Sequence, residues 1–169
     1  TGDPKGIEIT HGNILSMVTL NEPIAPMEMS AVRLVISPLF HIMAQTSGMV
    51  LPLAWGQKVV LMEKFDPALA WHLIDEENVT YLAGPPILFR TLMDNAPPDA
   101  EVVGRRTLKL CISGAAPLPE EWSEEFESRF GVPILPAYGA TETTATVTLR
   151  TAGDPAARGT VGRPIAGVE

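Results

Sequence analysis

Short apolar runs alternating with helical patterns constrain the fold of this chain more than any other feature. The runs are rich in valine, isoleucine and leucine, which is typical of strands buried on both faces of a parallel sheet. Strand followed by helix, repeated along the chain, predicts the α/β class, with an open, mostly parallel sheet of about five strands and flanking helices. The predicted strands are Arg33–Ser37, Lys58–Met62, Val79–Ala83, Leu108–Ser113 and Val132–Ala137, the last of which should end early or bulge at Pro136.

Capping residues locate the helices between these strands. Four helices are predicted, from Thr10 to Pro23, from Asp66 to Asn78, from Pro85 to Asn95 and from Pro119 to Gly131. The proline-rich and charged segment 96–106 is predicted to be a loop. We interpret residues 1–151 as one α/β subdomain and residues 152–169, rich in glycine, proline and alanine, as a connection to a following subdomain.

Charge and composition exclude several classes of function. The net charge of −8 argues against nucleic acid and against an anionic membrane surface as partners, since both need a basic face. The single cysteine, Cys111, provides neither a disulfide framework nor a CxxC zinc site, and a reducing cytoplasmic setting is expected. Polar residues interrupt the longest apolar stretch, Leu39–Trp55, so a buried core helix is predicted there and no membrane span.

Three segments that follow predicted strands could carry chemistry, because open α/β sheets bind ligands beyond the carboxyl ends of their strands. In "YGATETT", Tyr138 offers a flat ring for a base, Thr141 a hydroxyl for a phosphate and Glu142 a carboxylate for Mg²⁺. A polar turn with capping threonines is an equally good interpretation of that spacing alone. In "PLFH", His41 has the alternative of a packing histidine.

Two glycine-containing segments are weaker signals on their own. "SGAAPLP" has small residues that let a backbone approach a ligand, but a plain connection from strand to helix explains it as well. "TGDPKG" at the start has the glycines and the lysine of a phosphate loop without the Gly-Lys-Ser/Thr ending of a Walker motif. A surface turn is the alternative there.

The segments in their order resemble the adenylate-forming enzymes, the superfamily of acyl- and aryl-CoA synthetases, firefly luciferase and peptide-synthetase adenylation domains. "TGDPKG" resembles the second half of that family's phosphate loop, and "SGAAPLP" and "YGATETT" resemble two later motifs. "PLFH", "GPPILFRTL" and "GTVGRPIAGVE" match the family's style, so the resemblance extends over the whole chain. It implies part of the large N-terminal domain of a synthetase. We expect a fragment that starts inside the phosphate loop and stops before the ribose-binding aspartate, the hinge and the C-terminal domain.

The resemblance implies a two-step reaction with ATP, Mg²⁺ and coenzyme A. A carboxylate attacks the α-phosphate of ATP to give an acyl-adenylate, and a thiol then displaces AMP. Catalytic roles fall to Thr141, at the α-phosphate, and to Glu142, on Mg²⁺. The remaining implied residues are Thr1, Gly2 and Lys5 in the phosphate loop, Gly114, Ala115 and Ala116 along the nucleotide and acyl pocket, Tyr138 on adenine, Gly139 beside nucleotide and acid, and His41 at the acyl pocket.

The substrate follows less directly from the resemblance. "YGATE", "PLFH" and the segment 65–92 look most like bacterial fatty-acyl-CoA synthetases, so a fatty or related apolar carboxylic acid is expected, with an aryl acid as the alternative. The isolated chain is expected to be inactive and to self-associate, for example as a dimer, through apolar surface. A different class, an α/β module that binds a nucleotide or a protein and catalyses nothing, is the competing hypothesis.

Overall fold

Seven strands form one open sheet in the computed structural model, which describes residues 3–22, 29–151, 153 and 159–168. Their order across the sheet is β2-β1-β3-β4-β5-β6-β7. The first five strands in the chain pair in parallel, and the last two add antiparallel ladders at one edge. The strands are β1 Val32–Val35, β2 Lys58–Leu61, β3 Tyr81–Gly84, β4 Leu110–Ser113, β5 Ile134–Ala140, β6 Ala145–Leu149 and β7 Arg163–Pro164. The predicted α/β class with an open, mostly parallel sheet is confirmed, whereas the number of five strands is too low.

The helices begin and end where their capping residues predict. The Thr10 hydroxyl accepts the amide of Asn13 at 3.1 Å, and Asp66 accepts two amides of the first turn of its helix. Gly131 ends the last helix with φ of 77°. Pro23, the predicted stop of the first helix, lies outside the described residues. The helical elements are α1 His11–Asn21, a π-helical segment Ala44–Val50 leading into α2 Leu51–Ala54, α3 Pro67–Glu76, α4 Pro86–Asp94, α5 Ala100–Thr107 and α6 Glu120–Phe130.

The loop predicted for 96–106 is wrong, because most of that segment belongs to α5. Ala100, Val103 and Gly104 form a buried stripe on this helix. A Cβ at Gly104 would lie 2.9 Å from the ring of Phe130, so the missing side chain lets α5 pack closely against α6. The prolines that precede α5 and the charged residues on its exposed side conceal this apolar stripe in the sequence.

The predicted early end of the fifth strand is also wrong, because β5 continues past Pro136 to Ala140. The carbonyl of Pro136 accepts the amide of Arg150 at 3.0 Å, a bond that does not need the amide hydrogen that proline lacks. The irregularity in pairing with β6 lies further along, between Tyr138 and Gly139. The strand therefore carries the first residues of "YGATETT" to the edge of the sheet.

Alternation along the strands gives the sheet two different faces. Leu34, Leu82, Cys111 and Ile134 point to one side, which α3, α4, α5 and α6 cover; we call it the helix face. Residues at alternate positions, namely Arg33, Tyr81, Ile112 and Ala137, point to the other side, which we call the cavity face. The cavity face is covered by α1, the π-helical segment and α2. No helix among the described residues is long and apolar enough to cross a membrane.

Candidate functional site

A cavity of about 390 Å³ lies on the cavity face and extends to the carboxyl ends of β1, β3, β4 and β5. This is the edge at which open α/β sheets bind ligands. The predicted site residues that line it are His41, Gly114, Ala115, Tyr138, Gly139 and Thr141. Three motifs that are far apart in sequence thus meet at one concave surface.

The other predicted site residues lie elsewhere. Ala116 and Glu142 are exposed, each next in the chain to a lining residue, and are not part of the cavity wall. Lys5 is exposed and does not line the cavity. Thr1 and Gly2 lie outside the described residues, so their predicted contact with phosphates stays a prediction.

The turn Thr141–Thr143 separates the threonines of "YGATETT" into two kinds. The Thr143 hydroxyl accepts the amide of Ala140 at 3.0 Å and lies 2.9 Å from the carbonyl oxygen of Ala145, so it holds the turn together. Thr141 is exposed, and within the described residues its hydroxyl has no hydrogen-bond partner. The carboxylate of Glu142 is likewise exposed and pairs with no cation of the described chain. The capping interpretation therefore holds for Thr143, whereas the hydroxyl of Thr141 and the carboxylate of Glu142 make no such contact within the described residues.

Unusual backbone conformations concentrate at this site. Of the four non-glycine residues with positive φ among the described residues, three adjoin the cavity: Ala115 at 67°, Thr144 at 59° and Ala145 at 109°. The left-handed region is unfavourable for residues with a Cβ, above all for a β-branched one such as Thr144. Strain of this kind persists where the surrounding structure holds it, and it clusters at functional sites.

Gly139 is required by a close approach of two backbones. An ideal Cβ at this position would lie 1.8 Å from the carbonyl oxygen of Ala145 and 2.9 Å from the Cα of Thr146. A side chain here would push β6 away from β5. Glycine thus lets the strand, the turn and β6 form one tight wall of the cavity.

The turn after β4 presents backbone groups. The amide of Gly114 donates to the carbonyl of Gly84 at 3.2 Å and continues the sheet. The amides of Ala115 and Ala116 have no partner within the described part of the chain. Such amides next to a cavity suit an anion or a nucleotide.

His41 lies at the mouth of the cavity. Its ring is exposed and packs against the ring of Phe40, with centroids 4.6 Å apart. Because its side chain is exposed, His41 does not have the buried packing role that the sequence left open. His11 and His72, on α1 and α3, are exposed and do not line the cavity.

Sequence reasoning missed Arg33, which is 2% exposed and lies in the cavity wall. Its Nε donates to Gln57 Oε1 and its Nη1 to the carbonyl of Ser47, both at 2.8 Å. The guanidinium lies over the ring of Tyr81, 4.0 Å from its centroid. Burial lowers the pKa of Arg33 and raises that of Tyr81. The sequence signal that could have identified Arg33 was the presence of an arginine within an apolar run that otherwise predicts a buried strand.

Cys111 has no part in the site. Its side chain is fully buried on the helix face, and burial raises the pKa of its thiol. The inert thiol predicted from the sequence pattern agrees with this position.

These features define an α/β protein with a cavity at the edge of its sheet, where proteins of this class bind small molecules. The particular family follows from comparison with known proteins: the family model for "AMP-binding enzyme" matches residues 1–169, and the chain belongs to that family. The resemblance to adenylate-forming enzymes is thereby confirmed.

Relatives within the family include ligases with different acids in their names. The chain is 32% identical over 148 residues to a long-chain-fatty-acid–CoA ligase of Bacillus subtilis, covering 84% of this chain and 25% of the relative. It is 31% identical over 169 residues to a benzoate–CoA ligase of Thauera aromatica, covering 99% and 32%. The chain thus spans a quarter to a third of the length of these relatives.

Solved structures share the fold as well as the sequence. One is o-succinylbenzoate coenzyme A synthetase from Bacillus subtilis in complex with ATP and magnesium ion. Its TM-score is 0.82 at 25% identity, over 98% of this chain and 34% of that one. The seven-stranded arrangement is therefore a fold found in ligases of this family.

Proposed function

We propose that the protein containing these residues is an AMP-forming acid–thiol ligase, and that the cavity face holds its nucleotide and acid. The observation that carries the proposal is the edge of the cavity. There the unpartnered hydroxyl of Thr141 and the unpaired carboxylate of Glu142 follow the exposed ring of Tyr138. The names of the CoA ligases among its relatives support the same reaction class.

The first step activates the acid. One carboxylate oxygen attacks the α-phosphorus of ATP, the bond from that phosphorus to the bridging oxygen breaks, and pyrophosphate leaves with the electron pair. Negative charge grows on the α-phosphate oxygens, so donors fixed beside them lower the barrier. We assign the Thr141 hydroxyl and the amides of Ala115 and Ala116 to this task, with Tyr138 stacked on adenine and Gly139 giving the ligand access to the strand.

The second step transfers the acyl group to coenzyme A. The thiol sulfur attacks the acyl carbon, the bond to the phosphate oxygen breaks, and AMP leaves while the thiol proton passes to solvent or a base. Activation is needed because a free carboxylate is a poor acceptor for a thiol. An acyl-phosphate anhydride has AMP as a far better leaving group.

Glu142 is the residue we assign to Mg²⁺. No cluster of three or more acidic, histidine or cysteine side chains that could hold a metal occurs among the described residues. A single protein carboxylate together with substrate phosphates is a usual way of binding Mg²⁺, and the unpaired carboxylate of Glu142 fits it. Bound there, the ion would neutralise phosphate charge. Lys5, together with Thr1 and Gly2, is proposed to reach the β- and γ-phosphates.

The acid is proposed to be fatty or otherwise apolar next to its carboxyl group, with an aryl acid as the alternative. Ile42, Met43, Leu51 and Ile112 give the cavity apolar walls that suit either. His41 would border the acid at the mouth. The proposed setting is the cytoplasm, with small molecules as the partners.

Two further proposals concern the 169 residues by themselves. They span about a third of the relatives' length, and we expect them alone to form no acyl-CoA. We also expect them to self-associate, since apolar side chains such as Leu15 and Phe40 are exposed. Acyl-CoA formation by this polypeptide, or a monomeric mass in light scattering, would contradict the respective proposal.

The test is acid-dependent exchange of labelled pyrophosphate into ATP by the full natural protein. We expect Thr141→Ala and Glu142→Gln to lower the exchange rate about 100-fold or more, because each removes a group acting on the phosphates. Glu127→Gln, a matched change of an exposed acid on α6, should leave the rate unchanged. Equal rates in all variants would rule out the assigned roles. Saturable AMP binding without exchange for any acid would favour the non-catalytic module.

A further inference from the structure

Arg33 places a positive charge in the wall of the cavity, in its deep part. It lies on β1 directly beside Tyr81 of β3 in the register of the sheet. Its polar contacts are the side chain of Gln57 and the carbonyl of Ser47, and its guanidinium packs on the rings of Tyr81 and Trp55. All of these partners are neutral, so they hold the guanidinium in place without compensating its charge.

No carboxylate of the described residues forms an ion pair with Arg33. The other arginine that is almost fully buried, Arg150, does have one, since its Nη1 lies 2.7 Å from Glu120 Oε2. Burying a charge is costly unless an opposite charge accompanies it. Because Arg33 lines an open cavity, an anion can reach it from there.

The position of Arg33 sets its distance from the groups at the rim. Tyr81, which pairs with Arg33, also pairs with Leu110 on β4, and Gly114 follows four residues further along that strand direction. At roughly 3.3 Å per residue, the backbone levels of Arg33 and Gly114 are separated by about 13 Å. The wall between them includes Ile112 and Met43. A bound molecule thus meets polar groups at the rim, apolar side chains in the middle and one cation at depth.

We infer that the acid bound here carries a second anionic group at its far end, as an α,ω-dicarboxylic acid does, and that this distal group pairs with Arg33. The inference rests on the proposed function and narrows its substrate class. The carboxyl group at the rim is activated beside Thr141, the apolar middle of the chain contacts Ile112 and Met43, and the distal carboxylate accepts from the guanidinium. Charge-assisted pairs of this kind are among the stronger hydrogen bonds in proteins.

The first experiment compares substrates of the full natural protein and needs no variant. Acid-dependent release of pyrophosphate from ATP is measured for linear dicarboxylic acids of increasing length, each beside its monomethyl ester and the monocarboxylic acid of the same length. We expect at least one dicarboxylic acid to exceed its monomethyl ester in kcat/KM by about 10- to 100-fold. Esters that equal or exceed their diacids at every length would overturn the inference.

The second experiment changes the cation. Arg33→Gln should lower kcat/KM for the diacid about 10- to 100-fold more than for its monomethyl ester, which removes the preference, and Arg33→Lys should retain part of the preference because it keeps the charge. Arg106→Gln, an exposed arginine on α5 paired with Asp75, is the matched control and should change neither value. If Arg33→Gln lowers both substrates equally in a folded protein, Arg33 only supports the fold around Gln57 and Ser47, and the inference is wrong.

The outcomes separate the inference from the function on which it rests. Pyrophosphate release with monocarboxylic acids and esters, without any advantage for diacids, overturns the inference and leaves the ligase proposal standing. No release with any acid of the panel or with an aryl acid such as benzoate, from a protein that circular dichroism shows to be folded, overturns the ligase proposal itself. A diacid preference that disappears in Arg33→Gln supports both.

Discussion

The helix face and the cavity face belong to the same strands but differ in how closely their side chains are packed. On the helix face, Phe89, Phe126 and Phe130 are fully buried and their rings contact one another. On the cavity face a volume of about 390 Å³ stays open, and a charged side chain, Arg33, is buried in its wall. Close packing on one side accompanies unfilled space and unfavourable burial on the other.

This difference shows how the chain can tolerate a costly site. A cavity gives up packing contacts, a buried cation gives up hydration, and left-handed residues such as Thr144 and Ala145 add backbone strain. The dense helix face is the part of the molecule that can offset these costs. Stability and binding should therefore respond to mutations on different faces.

The largest effect is expected on the helix face. Phe126→Ala removes a fully buried ring that meets Phe89 edge-on, with centroids 5.5 Å apart. It should lower the free energy of unfolding by about 3–5 kcal/mol, measured by urea denaturation. Ile112→Ala borders the open cavity and should cost less than half as much. Equal losses would mean that the two faces are packed alike.

A smaller loss of stability is expected at the wall of the cavity. Gly139→Ala forces a Cβ against the carbonyl of Ala145, so β5 and β6 must separate. We expect the free energy of unfolding to fall by about 1–3 kcal/mol. The affinity for AMP, measured by calorimetry, should fall by a larger fraction of its value than the stability does.

The control for Gly139 is Gly12→Ala in α1. A Cβ at Gly12 meets the Thr10 hydroxyl oxygen at an ordinary 3.5 Å, so this change should stabilise the protein by about 0.5–1 kcal/mol through helix propensity. Normal AMP affinity in Gly139→Ala would show that the strand pair does not shape the site.

The smallest effect concerns the outer surface of the helix face. Arg90 on α4 donates from Nε to Asp94 at 2.9 Å and from Nη1 to Glu125 on α6 at 2.7 Å. The hydrogen bond from Arg90 lowers the pKa of Asp94 below its ordinary value of 3.8. The folded state thus binds a proton at Asp94 less readily than the unfolded state does. The stabilisation that the Arg90–Asp94 pair provides is therefore complete above about pH 4, and it is lost as the pH falls through the lower pKa of the folded state.

Asp94→Asn tests this by chemical denaturation between pH 7 and pH 2.5. The variant should be slightly less stable than the natural protein at pH 7, and the difference should shrink toward zero at the acid end. Arg90→Gln removes the hydrogen-bond donor, and in that background Asp94→Asn should show no such trend. A difference that stays constant across this pH range would contradict the lowered pKa. AMP affinity should be unchanged in both, because neither residue lines the cavity.

Local sequence signals predicted the parallel part of the fold. Thr10, Asp66 and Gly131 mark helix ends through interactions within one turn, and such signals can be recognised in a sequence. The helix α5 was missed because its apolar stripe of Ala100, Val103 and Gly104 is short and made of small residues. Its packing against α3 and α6 is visible only in the folded structure. The strand β6 was missed because its threonines interrupt the continuous apolar pattern of a buried strand. The strand β7 was missed because its two residues, Arg163 and Pro164, are too few to form a pattern.

The site was predictable as motifs but not as a geometry. The sequence motif indicated Thr141 and Glu142 as candidates, and their roles stay predictions. It could not separate Thr141 from Thr143, since that distinction depends on which hydroxyl is hydrogen-bonded to the backbone of the turn. Arg33 was included in a predicted strand without a role, because an alternating strand does not show which face borders a cavity. Close approaches such as that of Gly139 to Ala145 exist only in the folded pairing.

The most direct test of the two-face account is hydrogen–deuterium exchange of the full natural protein with and without AMP, Mg²⁺ and a non-reactive acyl-adenylate analogue. The account predicts slower exchange in peptides that contain Gly114–Ala116 and Tyr138–Glu142, and unchanged exchange in α3 and α5. Protection confined to α3 and α5, or none anywhere at saturating ligand, would contradict the claim that the cavity face is the ligand site.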